Sequence, residues 1–319
     1  MSFSASVKDE LSHHVARARH CQIAELAAIL GFCGEVIKQR NGHFSLKIST
    51  ENVTVARKVF TLFQKTFNIV ACVSIGQNMK RQNVSYLIVI TKPSDVLRIL
   101  KATKQIGEDG SRLIADRLVD SLIIGRICCR RAFLRGTFLC AGSMSDPGKA
   151  YHFEIVSNRV SAANQVCDLI CSFGMDAKVV PRKKTYVVYL KEGSQIVDIL
   201  NIMEAHIALM ELENIRILKE VRNSINRKVN CETANISKTV SAAVKQVKDI
   251  EYLRDSIGLG RLPEGLEEIA LVRLSYPEAT LKELGELVTP ALGKSGVNHR
   301  LRRISEITEK VRLKQGGAL

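Results

Sequence analysis

One stretch gathers the side chains best suited to chemistry with another molecule: Lys294-Ser-Gly-Val-Asn-His-Arg-Leu-Arg-Arg303. An arginine guanidinium can donate two parallel N–H bonds to guanine, and an asparagine amide matches adenine. At helical spacing Val297, Leu301, Ile304 and Ile307 or Thr308 make one apolar stripe. Asn298, His299, Arg300, Arg302 and Arg303 fall outside that stripe, on a face fit to meet base edges. Lys294 and Ser295 stand at the helix start, where free backbone N–H groups suit phosphate oxygens; Ser295 reads as the N-cap. Lys310, Arg312 and Lys314 continue the positive charge.

Other candidate chemistry is thin. No Gly-rich loop of the type that cradles nucleotide phosphates is present. His13, His14 and His20 lie in a polar N-terminal segment and read as solvated surface. Asp116 and Asp120 are one turn apart, which suits paired carboxylates, but Arg117 beside them favours a charged helix face. The 9 cysteines include the neighbours Cys128 and Cys129 and the pair Cys167 and Cys171 one helical turn apart. No CxxC pair occurs, which argues against a structural zinc site; reduced cysteines acting as small core residues are expected instead. No catalytic residue, metal or cofactor is expected.

A small bundle must position the basic stretch. A helix over about Glu264 to Leu274 stops before Pro277, because the residue preceding proline disfavours helix. A second helix begins at Thr280, with Thr280 and Glu283 spaced as a capping box and Leu281, Leu284, Leu287 and Val288 facing inward. Gly285 is small where helices cross, Thr289-Pro-Ala-Leu-Gly293 is the turn, and the basic stretch is the third helix. This is a helix-turn-helix, whose second helix enters the major groove.

Upstream the chain repeats itself. Leu26-Ala-Ala-Ile-Leu-Gly-Phe-Cys-Gly-Glu35 and, 108 residues on, Leu134-Arg-Gly-Thr-Phe-Leu-Cys-Ala-Gly-Ser143 both read as apolar helices ending in glycine. Strands at His43-Phe-Ser-Leu-Lys-Ile-Ser-Thr and His152-Phe-Glu-Ile-Val-Ser-Asn follow, then helices from Val53 to about Phe67 and Val160 to about Phe173. Next come basic hairpins, Lys80-Arg81 leading to Val84–Ile90 and Arg182-Lys183-Lys184 leading to Thr185–Leu190. Helices near Ser94–Lys104 and Ser194–Leu212 close the units. Each unit reads αβαβα, with room for an extra strand, and the pair implies a pseudo-twofold domain. Ala27, Ala28, Gly31 and Gly34 on one side, and Gly136, Ala141 and Gly142 on the other, would let the two first helices approach closely. Ala234–Ile250, with Ile236, Val240, Val244 and Val247 on one face, is an amphipathic helix. The fold class is α+β with an all-α helix-turn-helix domain after it. The expected boundaries are 1–107 for the first repeat, 108–217 for the second, 218–258 for a helical linker and 259–314 for the helix-turn-helix.

Bulk composition narrows the partner. The 319 residues carry a net charge of +15, which attracts polyanions. Aromatic residues are 5% and tryptophan is absent, so a base-stacking platform for single strands is disfavoured and double-stranded DNA favoured. No apolar run reaches the roughly 18 residues of a membrane span, and the start lacks the pattern of a signal peptide. A cytoplasmic protein is expected, with no membrane partner and no small-molecule substrate identified.

Five stretches resemble the WhiA family of bacterial sporulation and cell-division regulators: Ser2-Phe-Ser4, Glu25-Leu-Ala-Ala-Ile-Leu-Gly31, Arg131-Ala-Phe-Leu-Arg-Gly136, Asn230-Cys-Glu-Thr-Ala-Asn235 and Lys294-Ser-Gly-Val-Asn-His-Arg300. The resemblance spans essentially the whole chain. It implies a domain like LAGLIDADG homing endonucleases joined to a helix-turn-helix, promoter binding, or a role in cell division and chromosome segregation, and with these a nucleoid-associated location and protein partners in transcription or division. A working nuclease of that type needs an acidic residue at the end of each central helix to hold a divalent metal. Aligning Gly34 with Gly142 puts Cys33 and Ala141 there, and neither offers the oxygen that Mg²⁺ needs. Glu35 is a near neighbour, but Ser143 is its counterpart. The implied scaffold thus lacks its metal site. A metal-dependent endonuclease, and an adaptor whose repeat domain binds protein while the helix-turn-helix holds DNA, are the competing readings.

Overall fold

The computed structural model describes residues 2–38, 44–78, 83–107 and 118–316. Lys80, Arg81, Asp116, Arg117 and His43 lie outside them. The chain divides into two compact units, residues 1–220 and 221–319.

The first unit opens with α1 (Phe3–His13). Ser2 caps it by accepting from the Ala5 N–H at 3.2 Å, while Phe3, Val7 and Leu11 turn inward. Ser4 Oγ accepts from the Met144 N–H, 140 residues away, at 3.2 Å. The Ser-Phe-Ser start therefore ties the N-terminus to the second repeat.

Two copies of one pattern follow. The first is α2 (Arg19–Cys33), β1 (Gly34–Lys38), β2 (Phe44–Thr50), α3 (Val53–Phe67), β3 (Cys72–Asn78), β4 (Asn83–Ile90) and α4 (Pro93–Ala102). The second is α5 (Ile127–Ala141), β5 (Gly142–Met144), β6 (Phe153–Ser157), α6 (Val160–Cys171), β7 (Lys178–Arg182), β8 (Thr185–Leu190) and α7 (Gly193–Met203). Each copy is therefore αββαββα rather than αβαβα. The missed strands are β1 and β5, which leave the helix directly through an extended glycine, and β3 and β7, whose outer positions are too exposed to alternate cleanly. Both sheets are antiparallel with the same strand order, β1-β2-β4-β3 and β5-β6-β8-β7.

α2 and α5 form the axis. Both are buried on nearly every side, which is why neither has a polar face. The close approach is made by Gly136: a Cβ there would stand 2.5 Å from the Glu25 carbonyl oxygen and 3.0 Å from Ala28 Cβ. The other small residues have different roles. Gly31 accommodates Leu118, while Gly34 and Gly142 end their own helices against Leu30 and Phe138.

α3 shows how local rules build the frame. Asn52 caps it through Thr54 N–H at 2.8 Å, Val55, Val59, Leu62 and Phe63 are buried, and Asn68 closes it in the left-handed conformation. The same buried face carries Lys58.

Lys58 belongs to an ion network at the helix crossing that the sequence reading did not anticipate. Glu25 Oε1 accepts from Lys58 Nζ at 3.0 Å and from Arg135 Nε at 3.2 Å; these three side chains are 0%, 0% and 1% exposed. Arg135 also donates to Glu204 Oε2 at 2.6 Å and to the Met203 carbonyl at 3.2 Å. Lys58 also donates to the carbonyls of Leu11 and His14. His14 is not solvated surface: its Nε2 lies 3.0 Å from Glu204 Oε2, and burial, then the Arg135 guanidinium, hold its imidazole below its usual range.

The last helix of the first unit also departs from expectation. The stretch from Ser194 to Leu212 breaks at Glu204, where the backbone turns left-handed, and α8 (His206–Ser256) begins. Four cysteines, Cys72, Cys128, Cys171 and Cys231, are exposed rather than core. No helix of the described residues is long and apolar enough to cross a membrane.

The second unit holds the later part of α8, a short 3₁₀ turn at Leu259–Arg261, then α9 (Leu266–Ser275), α10 (Leu281–Glu286) and α11 (Lys294–Gly316). Its core is Ile250, Leu253, Leu259, Leu262, Leu266, Ile269, Ala270, Leu284, Val288, Val297, Leu301 and Ile304. The end of α8 thus contributes core residues. The expected stripe on α8 does not: Ile236, Val240 and Val244 are exposed.

Candidate nucleic-acid interface

Thr280 forms both halves of its capping box. Its hydroxyl accepts from Glu283 N–H at 3.3 Å, and Glu283 Oε2 accepts from Thr280 N–H at 2.7 Å, which holds the Glu283 carboxyl below the usual range. Leu284 and Val288 are buried, but Leu287 is 47% exposed and points outward. Leu281, Leu284 and Val288 supply the inner face, and Leu287 is the cap residue that follows the helix.

Arg273 pins α9. Its guanidinium, 2% exposed, donates to Gln246 Oε1 at 2.8 and 3.0 Å and to the Ala279 carbonyl at 2.6 Å. Glu268 Oε1 accepts from Thr289 N–H at 2.7 Å and fixes the turn.

Gly285 sits against that turn as well as against α11, where a Cβ would stand 3.2 Å from Val297 Cγ2. Leu292 N–H donates to Gly285 O at 2.8 Å, and a Cβ on Gly285 would stand 2.0 Å from Leu292 O. Backbone cannot step aside as a flexible side chain can, so Gly285→Ala should destabilise this unit by about 1–3 kcal/mol or more, the usual cost of overpacking. Gly296→Ala, whose Cβ would meet only Leu292 side-chain atoms at 3.7 Å and beyond, is the control. Thermal unfolding of both variants checks this; equal midpoints would remove the steric account of Gly285.

α11 starts at Lys294, so Gly293 precedes it and Ser295 lies in the first turn rather than at the N-cap. The first helical bond is Val297 N–H to Gly293 O, so the N–H groups before it have no intrahelical acceptor. Val297, Leu301, Ile304 and Thr308 are buried, the Thr308 hydroxyl donating to Ile304 O at 2.9 Å; Ile307 is only half-buried.

Lys294, Ser295, Asn298, His299, Arg302 and Arg303 are exposed together on the opposite side. Arg302 Nε lies 3.5 Å from Glu306 Oε1, a surface pair that competes weakly with any stronger acceptor. Arg300 does not join this face. It is half-buried, and its Nη1 donates to Gly265 O at 3.0 Å, which ties α11 to the start of α9. Arg312 is likewise engaged inside the unit, 3.2 Å from Asp249 and over the ring of Tyr252.

The repeat domain supplies a second basic site. Lys183 takes the left-handed conformation in the tight turn between β7 and β8, and Arg182, Lys183 and Lys184 are all exposed. Arg182 lies 3.5 Å from Glu154, which also accepts from Ser143 Oγ at 2.8 Å and lies 3.3 Å from His152. Lys80 and Arg81, its counterparts, are outside the described residues. At the ends of the central helices the Cys33 thiol hydrogen-bonds with Cys140, and Lys8 acts on both. Among the described residues no cluster of three or more acidic, thiol or imidazole groups forms there.

Three family models match the chain: the WhiA N-terminal LAGLIDADG-like domain over residues 19–106, the WhiA LAGLIDADG-like domain over 130–222 and the WhiA C-terminal HTH domain over 225–308. The chain is 53% identical over 315 residues to the "Probable cell division protein WhiA" of Lachnoclostridium phytofermentans, covering 98% of this chain and 100% of the relative. It is 50% identical over 313 residues to the protein of the same name from Alkaliphilus oremlandii, covering 98% of each. Among solved structures it is similar to the full-length DUF199/WhiA of Thermatoga maritima, with TM-score 0.59 and 25% identity over 97% of this chain and 99% of that one.

Proposed function

The chain belongs to the WhiA family, and from that premise we propose that it reads double-stranded DNA in sequence with α11 and acts as a regulator of transcription or directly in cell division and chromosome segregation. The observation that carries this reading is the exposed row Lys294, Ser295, Asn298, His299, Arg302 and Arg303, held outward by the buried Val297, Leu301 and Ile304. Asparagine and arginine one turn apart match adenine and guanine edges, while Lys294 and the helix start match phosphate. The relatives' name is the ground for cell division. A cytoplasmic, nucleoid-associated location follows from that reading.

The repeat domain acts as a nuclease scaffold without nuclease chemistry. Metal-assisted phosphodiester cleavage needs carboxylate oxygens at the helix ends, and Cys33 and Ala141 stand there. Its basic turn, Arg182, Lys183 and Lys184, adds affinity for backbone phosphate that is indifferent to sequence.

The experiment that tests this is the salt dependence of duplex binding. Each phosphate contact releases counterions, so log K falls with log salt at a slope of about −0.9 per contact. The full chain should bind duplex DNA, leave it uncut in Mg²⁺, and show a steep slope. Replacing Arg182, Lys183 and Lys184 together by alanine should flatten the slope by about 0.9 for each phosphate no longer neutralised. An unchanged slope would mean that this turn does not touch DNA and that the repeat domain serves protein partners. Absence of duplex binding by the full chain at low salt would end the DNA-reading proposal.

A further inference from the structure

The repeat brings together four soft donor groups that are scattered in sequence. His20 and Cys21 occupy the second and third positions of α2, and Cys128 and Cys129 occupy the same positions of α5. The spacing that relates Leu26 to Leu134 also relates these two dipeptides. Because the two central helices meet about the pseudo-twofold axis, equivalent positions at their starts converge.

The geometry is close to a coordination shell. One ligand atom from each of the four side chains lies within 4.8 Å of all the others. His20 Nδ1 is 3.2 Å from Cys129 Sγ and 3.3 Å from Cys21 Sγ. The Cys21 thiol also hydrogen-bonds with those of Cys128 and Cys129. A tetrahedral ion with bonds of about 2.3 Å to sulfur and 2.0–2.1 Å to nitrogen needs ligand edges of about 3.5–3.8 Å. Side-chain shifts below about 1 Å would therefore close the shell around a cation of that size.

We propose that His20, Cys21, Cys128 and Cys129 bind one Zn²⁺ ion as a structural site that clamps the starts of the two central helices. Three thiolates and one imidazole select a thiophilic d¹⁰ cation over Mg²⁺ or Ca²⁺, which take oxygen. Four protein ligands leave no open position, the mark of a structural site rather than a catalytic one. Three thiolates around Zn²⁺ leave one net negative charge, and two helix N-termini point their positive ends at it. Arg126 adds a positive charge beside Cys129. Cys21 and Cys129 are buried while Cys128 is exposed, which provides the entry path.

In the protein alone the Cys21 thiol shares hydrogen bonds with those of Cys128 and Cys129. A cation replaces those protons, and binding releases them. Among the described residues this is the one such cluster; Cys33 with Cys140, and Cys167 with Cys171, have no third or fourth donor.

The test uses the full chain, fully reduced and stripped of metal, then titrated with Zn²⁺ against a chromophoric chelator. One equivalent should bind, Mg²⁺ in excess should not displace it, and Co²⁺ should give the intense visible bands and thiolate charge transfer of a tetrahedral sulfur site. Alkylation mapped by mass spectrometry should find Cys21, Cys128 and Cys129 protected by Zn²⁺, with Cys72 and Cys231 still reactive. Cys129→Ser and Cys128→Ser should each weaken binding by more than about a hundredfold, beyond what removal of a supporting partner alone does. Cys128 is at the surface, so Cys128→Ser folds even if Cys129→Ser does not. Cys231→Ser is the control and should bind like the original chain. Zn²⁺ held equally well by Cys128→Ser, protection mapping to other cysteines, or a reduced chain that takes up no Zn²⁺ would each overturn the proposal.

Discussion

Glu25→Gln should cost about 3–5 kcal/mol of stability, because it removes a carboxylate that faces two buried cations at once. Lys58 and Arg135 are each at most 1% exposed, and both meet Glu25 Oε1. With an amide in place of the carboxylate an acceptor oxygen survives but the charge does not: Lys58 then faces neutral oxygens, the carbonyls of Leu11 and His14 among them, while Arg135 keeps Glu204 and the Met203 carbonyl. Burial already lowers the pKa of Lys58 against the pull of Glu25, so its ammonium is held there at a cost. A whole domain is stable by only about 5–15 kcal/mol, so the loss is a large share. The measurement is hydrogen exchange of α2 and α5 peptides during a urea titration, which reports on the repeat domain separately from the helical unit. Glutamine keeps the size of the side chain, so packing alone predicts little change. Arg254→Ala, which breaks the fully exposed pair with Asp255, should leave the transition where it was. If Glu25→Gln exchanged and unfolded like the original chain, the network would be incidental to the crossing.

That network explains two stretches by which the chain resembles its family, and shows what a sequence can and cannot announce. The pseudo-twofold was legible because apolar helices ending in glycine recur with the same elements after them. The role of Glu25 and Arg135 was not, because each is a charged residue in an apolar helix and the partner of each lies on another element. Lys58 was not singled out, because only the packing of α3 shows that its face is buried. β1 and β5 were hidden because each leaves its helix directly through an extended glycine, with no loop to announce a new element. In the helical unit, Val297, Leu301 and Ile304 were legible from periodicity, since nothing else could form a core for so small a bundle. Arg300 was not: its position outside the stripe is right, but Gly265, left-handed and without a side chain, opens a carbonyl that takes its guanidinium. The cysteine cluster was invisible to a spacing rule, because CxxC arithmetic looks for ligands near in sequence. Here the ligands come from two helix starts related by the repeat.

Asn298→Ala and Arg302→Ala should each weaken binding to the preferred DNA site by about tenfold to a hundredfold, since a good bidentate base contact is worth roughly 1–3 kcal/mol of discrimination. Both side chains are exposed and one helical turn apart, and the core beneath them fixes which way they face. Arg302 loses only a surface pair with Glu306 in the free protein, so folding is barely changed. Binding to scrambled DNA should fall much less than binding to the preferred site. Lys294→Ala should behave otherwise, weakening both DNAs by similar factors, because a phosphate contact carries no sequence information. Arg300→Ala sorts with neither: it releases Gly265 O, and should lower thermal stability while leaving the ratio of specific to random binding unchanged. Leu301→Ala is the packing control, at about 2–5 kcal/mol of stability. Competition between the preferred site and scrambled DNA at one fixed salt concentration, with folding followed by circular dichroism, separates these outcomes. Folded Asn298 and Arg302 variants that kept the full ratio would show that α11 is not the reader. Recognition would then have to come from the sheets of the repeat domain, and the charge on α11 would serve only to hold phosphate.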